Sequence, residues 1–346
     1  MDLWIIDRDT LKTVDFVIAA EATYGIDYIS SDKSDFQLLN PNMDDYPEGD
    51  FVWGKSPKNS DKPGFFGVID SYEDNKLVCN DIMVLLNFEF PATTMRGTSF
   101  EKHMKTLITR YLINDPTKKM SNLVITTLTD TAHIYQPSES PTPTNLMSYL
   151  INGFKKYNVV WKFDKILDGK IYTTLEAVKN TTQFEDTLSD FQDWEVSTTT
   201  VGKDVENELI IINPTMTNSE SPSIKSTWYL TTENIVTSKS SDELIFRPTR
   251  TKVRIYNADN DKDMTDEQIA NAELAGNYYS HEISVNGRLS SKIIDMSAMR
   301  IGTLANIYYK GKLFKSVLSG YEYTEGDQFI ALKFGNIRSR LSEILE

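Results

Sequence analysis

The alternation of apolar and polar positions divides the chain into two β-rich ends and a mixed middle. Residues 3–6 and 16–20 are short apolar runs separated by the turn residues Asp7, Arg8 and Asp9, and Ser34–Leu39 alternates in part. Such runs between turn residues are the pattern of strands. Pro41-Asn42 and residues 46–50 break the chain, and residues 51–54 and 65–79 resume the strand pattern up to the apolar run Ile82–Leu86, read as a further strand. Short strands with frequent turns predict a small barrel or sandwich.

From residue 93 the period changes. Ser99 is placed to cap a helix reaching Asn114, because Phe100, Met104, Leu107, Ile108, Tyr111 and Leu112 recur at helical spacing. Residues 123–125 read as a buried strand, residues 138–143 as a loop, and Thr144 as the cap of a second helix carrying Leu146, Leu150 and Phe154 on one face. Residues 159–163 and 170–175 form a hairpin turning at Asp168-Gly169. From residue 191 the β pattern returns. A strong strand at 208–213 stops at Pro214, which has no N–H for a ladder, and strands at 227–230 and 252–256 follow. Thr265-Asp266-Glu267-Gln268 is a capping-box pattern that opens one helix, and residues 281–285 open the closing β segment. The expected fold is mainly β with an α+β insert. A first barrel covers 1–92, an α+β domain 93–190, a β-rich domain with one helix 191–280, and a second barrel 281–346.

The two ends share a pattern of strand, turn, strand, acidic turn, strand. Residues 49–79 carry it first and residues 301–332 carry it again. Phe66-Gly67-Val68-Ile69-Asp70-Ser71-Tyr72-Glu73 matches Phe314-Lys315-Ser316-Val317-Leu318-Ser319-Gly320-Tyr321-Glu322 with one residue inserted. A match this short also arises between unrelated β-meanders. A true repeat makes the chain pseudo-symmetric, which favours assembly.

The length of 346 residues allows two or three domains, and 40% apolar with 25% charged residues is ordinary globular composition. The net charge of −14 lacks the basic footprint of a duplex-binding protein. The one cysteine, Cys79, lies in a predicted strand and has no intramolecular partner, so the fold does not depend on an oxidising compartment. The N-terminus is apolar for only four residues among acidic ones, and no stretch approaches the roughly 20 apolar residues of a membrane span. Synthesis in the cytoplasm without a leader is the expectation.

Catalytic patterns are scarce. His103, His133 and His281 lie far apart, and no HExxH, CxxC, Gly-x-Ser-x-Gly, P-loop or GxGxxG pattern occurs. Among 50 carboxylates most sit in turns, such as Asp44-Asp45, Glu73-Asp74 and Asp259-Asn260-Asp261. A calcium loop starting at Asp259 would need Gly and Glu where Met264 and Ala270 stand. Trp53, Trp161, Trp194, Trp228 and Tyr278-Tyr279 suit a sugar groove, and equally a core or an interface. No catalytic, cofactor or metal residue is assigned.

The order of these blocks resembles the tail-hub proteins of tailed bacteriophages, including the tail-associated family described as prophage endopeptidase tail. The blocks are Gly49-Asp50-Phe51-Val52, Phe66 to Ser71, the helix from Ser99, Asn207 to Asn213 followed by Trp228-Tyr229-Leu230, and the closing segment from His281. Together they span nearly the whole chain. The resemblance implies a virion protein made in the host cytoplasm: a homotrimeric hub that caps the tail tube at the baseplate and gates DNA. Its implied partners are a sixfold distal tail ring protein, the tape measure protein and other baseplate or receptor-binding proteins, with DNA passing unbound. It implies no enzyme, because the sequence stops after the second barrel, where some relatives carry a wall-cutting domain. Two alternatives stand beside it: a peptidoglycan hydrolase with a carboxylate pair, and a host-saccharide-binding β-protein.

Overall fold

The computed structural model describes residues 1–28, 33–42, 45–55, 64–92, 99–131, 142–198, 206–216, 222–231, 235–245, 247, 249–256, 265–274, 281–291 and 300–335. The first six strands are β1 (Asp2–Ile6), β2 (Thr13–Asp27), β3 (Ser34–Leu39), β4 (Phe51–Lys55), β5 (Phe65–Glu73) and β6 (Lys76–Asp81). They pair in the order β1-β4-β5-β6-β3-β2, and β2 returns to β1, which closes a six-strand barrel. Alternation explains the wall: Asp15, Val17 and Ala19 of β2 point inward, while Val14, Phe16 and Ile18 point outward.

Ile82–Leu86 is a short 3-10 helix, not the strand its apolar run suggests. Asp81 caps it by accepting a hydrogen bond from the Met83 N–H at 2.9 Å. A continuous apolar run does not distinguish a buried strand from a buried helical turn. The insert then holds β7 (Glu89–Ala92), α1 (Phe100–Ile108), β8 (Leu123–Thr127), β9 (Thr142–Asn145), α2 (Leu146–Tyr157), β10 (Val159–Leu167) and β11 (Lys170–Ala177). Ser99 caps α1, which runs on into a π-helical turn, Thr109–Ile113. The cap of α2 is Asn145, one residue beyond the expected Thr144. The β10–β11 hairpin turns at Asp168-Gly169, both at positive φ, and β8 adds to β11 in parallel.

The second half supplies β12 (Thr181–Glu185), β13 (Phe191–Thr198), β14 (Glu208–Met216), β15 (Pro222–Leu230), β16 (Val236–Thr237), β17 (Thr251–Ile255), α3 (Asp266–Leu274), β18 (His281–Arg288), β19 (Leu304–Tyr309), β20 (Lys312–Thr324) and β21 (Phe329–Gly335). β14 to β17 form a separate four-stranded sheet under α3, with its own core of Leu209, Ile211, Leu230, Ile269 and Leu274. The other strands pair in the order β12-β19-β20-β21-β18-β13. The expected boundary at 190 therefore shifts. The six-strand unit built on 281–335 includes β12 and β13, which come from the expected α+β and β-rich segments, and unlike the first unit it shows no closing pairing among the described residues. Phe184 of β12 and Phe191 of β13 fill that unit's core beside Phe334, the Phe191 and Phe334 centroids lying 5.2 and 4.9 Å from that of Phe184.

Candidate functional site

The two six-strand units have one plan. Strands β1 to β6 in the order β1-β4-β5-β6-β3-β2 correspond one by one to β12, β13, β18, β19, β20 and β21 in the order β12-β19-β20-β21-β18-β13. Chain order and neighbour order both agree. The similar segments read from the sequence, β4 to β6 and β19 to β21, occupy equivalent places. One strand departs: β1 runs antiparallel to β4, whereas β12 runs parallel to β19 and has no pairing with β13 among the described residues. The four-stranded sheet is an insertion between β13 and β18, where the first unit has the link from β2 to β3.

The units join edge to edge. β2 pairs β1 through Thr13 to Ile18, and its far end pairs β20 antiparallel, from Thr23 opposite Thr324 to Asp27 opposite Gly320. β20 divides in the same way: Lys312 to Val317 face β19, and Gly320 to Thr324 face β2. At this seam the Thr23 and Thr324 hydroxyls lie 3.1 Å apart, Lys333 Nζ donates to Asp27 at 2.9 Å, and the buried rings of Tyr24 and Tyr323 meet edge to face at 5.7 Å. Gly25 is required by proximity, since a Cβ there would sit 2.1 Å from the Tyr321 carbonyl oxygen. Burial raises the Tyr24 hydroxyl far above its ordinary range.

Two strand edges equivalent to this seam are open among the described residues. β13 ends the ladder and pairs only with β18 among the described residues. β5 is paired to β4 through Val68, and the backbones of Ile69 and Asp50 extend that contact by one step. Beyond Ile69 that edge of β5 carries no strand among the described residues. An unpaired edge presents rows of N–H and C=O groups that another strand can take up. A second exposed feature lies on the outer wall of the barrel. Trp53, Trp4 and Phe16 stand in register across β4, β1 and β2, with centroids 4.8 and 5.2 Å apart, and Ile18 pairs with Leu39 beside them. Phe16, Ile18 and Leu39 are 48, 47 and 51% exposed. A contiguous apolar strip of this kind marks an interaction surface.

The residues weighed for chemistry serve the fold. Cys79 is buried, and burial raises its thiol. His103 is buried with neither ring nitrogen hydrogen-bonded, and burial, then Arg110, lowers it to about 4. His281 is buried and also lowered to about 4. Glu101 is fully buried, and its desolvation is outweighed by hydrogen bonds from the Thr129 and Thr131 hydroxyls, both at 2.7 Å, and the Thr131 N–H at 2.9 Å. Its carboxyl therefore falls below the ordinary value. A cavity of about 440 Å³ opens where the first barrel, β10 and the second unit meet, walled by Trp53, Phe66, Trp161, Phe163 and Tyr321. Asp81 lines it and is pushed up to about 6 by desolvation. Trp161 is buried, and Trp194 and Trp228 are half-buried in packing. His133, Asp44, Asp259 to Asp261 and Tyr278-Tyr279 lie outside the described residues. Among the described residues no cluster of His, Cys, Asp and Glu has metal-binding geometry, and no helix is long and apolar enough to cross a membrane.

Solved structures share this architecture from end to end. The prophage tail protein of Listeria monocytogenes EGD-e superposes with a TM-score of 0.53 at 9% identity, over 100% of this chain and 97% of that one. The chain has the fold of a prophage tail protein. The 43 kDa tail protein of prophage MuSo2 from Shewanella oneidensis matches this fold at a TM-score of 0.52 and 10% identity, over 97% and 98% of the two chains. The tail protein from Neisseria meningitidis MC58 matches at 0.50 and 13% identity, over 96% and 95%. No protein-family model and no curated protein sequence matches the chain. The tail-protein resemblance read from the sequence thus holds at the level of the fold.

Proposed function

We propose that the protein is a structural, non-catalytic hub of a phage or prophage tail tip, a homotrimer in the virion baseplate that caps the tail tube and gates DNA. One observation carries this reading: the same strand unit occurs twice in one sheet, and among the described residues each unit keeps an open strand edge equivalent to the internal seam. In the repeat, β13 stands in the place of β2, and β5 in the place of β20. The seam can therefore recur between chains, with β13 of one copy paired to the free edge of β5 on the next. A head-to-tail contact of this type closes into a ring when its rotation allows. Eight strands per chain, in the order β5-β6-β3-β2-β20-β21-β18-β13, give a ring of 24 strands from three chains. That ring has six similar units, which suits a sixfold distal tail ring protein on one face, while the inserted domains keep threefold symmetry.

The tape measure protein and DNA would pass through the ring. The net charge of −14 per chain disfavours retention of phosphates. The apolar strip at Trp4, Phe16 and Trp53 lies on the outer wall of the first barrel, across β4, β1 and the start of β2, and is the face offered to other baseplate or receptor-binding proteins.

Native mass spectrometry tests the trimer, with an expected mass three times the 39.5 kDa of one chain. Proline at Glu195 or Val196 removes one backbone donor of β13, and adjacent residues present their N–H groups to opposite edges. One of the two variants should stay folded and lose the trimer. A single-chain mass at every soluble concentration, or trimers unaffected by both substitutions, overturns the reading.

A further inference from the structure

We infer that the groove between α1 and the end of β8 binds a phosphate group, free or esterified. It has a volume of about 530 Å³ and runs along one side of α1 and the π-helical turn that follows it. Three cations line it, Lys102, Lys105 and Arg110, together with the hydroxyls of Thr109 and Thr127 and the Asn114 amide; the Thr106 hydroxyl, also in the lining, already donates to the Lys102 carbonyl at 2.9 Å. No carboxylate is among the described residues that line it. In a chain with 50 acidic and 36 basic residues, that segregation is unusual.

The local charge balance supports an anion. Lys102 is paired with Asp130 on the groove's margin. Lys105 and Arg110 make no ion pair among the described residues, and the contact of Arg110 is with the ring of its neighbour Tyr111, 5.9 Å away. Asp115, next to Asn114, is turned back onto the N–H and hydroxyl of Thr117 at 2.9 and 2.7 Å. Two uncompensated cations therefore face one hollow. Lys105 lies in the last turn of α1 and Arg110 in the π-helical turn that follows, where a cation complements the helix carbonyls, but Lys102 lies in the first turn and gains nothing from that. Behind the groove, His103 is held neutral by burial and, secondarily, by the charge of Arg110. A tetrahedral oxyanion accepts several charge-assisted hydrogen bonds at once, and a guanidinium beside an ammonium and hydroxyls supplies them.

The inference is independent of the hub reading, because it concerns the insert and not the strand edges. Isothermal titration of the full chain at constant ionic strength, with inorganic phosphate as titrant and sulfate as competitor, tests it. Glycerol 3-phosphate and a short single-stranded oligonucleotide, run as separate arms, distinguish a small ester from a nucleic-acid source. Lys105→Ala and Arg110→Ala should each weaken binding by about tenfold. Lys170→Ala, a control on the distant β10–β11 hairpin, should leave it unchanged. Both groove residues are exposed, so circular dichroism should show folded variants. Absence of heat with all three phosphates, or equal affinity in the wild type and the Lys105→Ala/Arg110→Ala double variant, overturns the assignment.

Discussion

Gly25→Ala tests whether the contact between the two units rests on close backbone approach. The added methyl would lie 2.1 Å from the Tyr321 carbonyl oxygen and 3.0 Å from both the Tyr321 carbonyl carbon and the Glu322 Cα. All three are backbone atoms, so no side-chain rotation relieves the clash. To restore ordinary contact, β2 and β20 must separate by about 1 Å, which strains the five register pairs from Thr23 to Asp27. Overpacking of this kind costs about 1–3 kcal/mol. Urea unfolding followed by tryptophan fluorescence should show that loss, and amide exchange should quicken at 23–27 and 320–324 while the β10–β11 hairpin keeps its protection. Gly169→Asn is the control. Gly169 has φ +66°, a Cβ added there would meet no atom within 4 Å, and asparagine tolerates that conformation. If Gly25→Ala is as mild as Gly169→Asn in both measurements, the seam does not depend on this approach.

Two further outcomes follow from buried groups. Glu101→Gln leaves the donors of Thr129 and Thr131 without a charged acceptor, so it should cost about 1–3 kcal/mol at neutral pH by denaturant titration. Because the folded carboxyl titrates below its unfolded value, its stabilisation is present above the unfolded value of 4.5 and fades as pH falls through the folded one. The variant should therefore lose less stability than the wild type on acidification. Phe184→Ala removes a fully buried ring packed on Phe191 and Phe334, and should cost about 3–5 kcal/mol. Exchange should then rise in β18 and β21 rather than in β8 and β10, as expected if β12 belongs to the second unit.

Local features were legible in the sequence because neighbouring residues decide them. The alternation of β2, the Ser99 cap, the Asp168-Gly169 turn and the likeness of β4–β6 to β19–β21 all depend on spacing over a few positions. The candidate assembly surface was only half legible. Trp53 and Trp194 stood out as aromatics, yet nothing in their spacing distinguishes the outer strip at Trp4 and Phe16 from the packing of Trp194 against Tyr309. The partition of strands between units was also hidden. Phe191 pairs with Gly287 across the whole inserted sheet, and Thr23 with Thr324 across an intervening stretch longer than most domains. Side-chain period records which face of a strand is buried, but not which strand lies beside it. Neighbours are chosen by backbone hydrogen bonds, which are alike at every residue, and only the folded chain shows that β2 spends one end of its edge on its own barrel and the other on its twin.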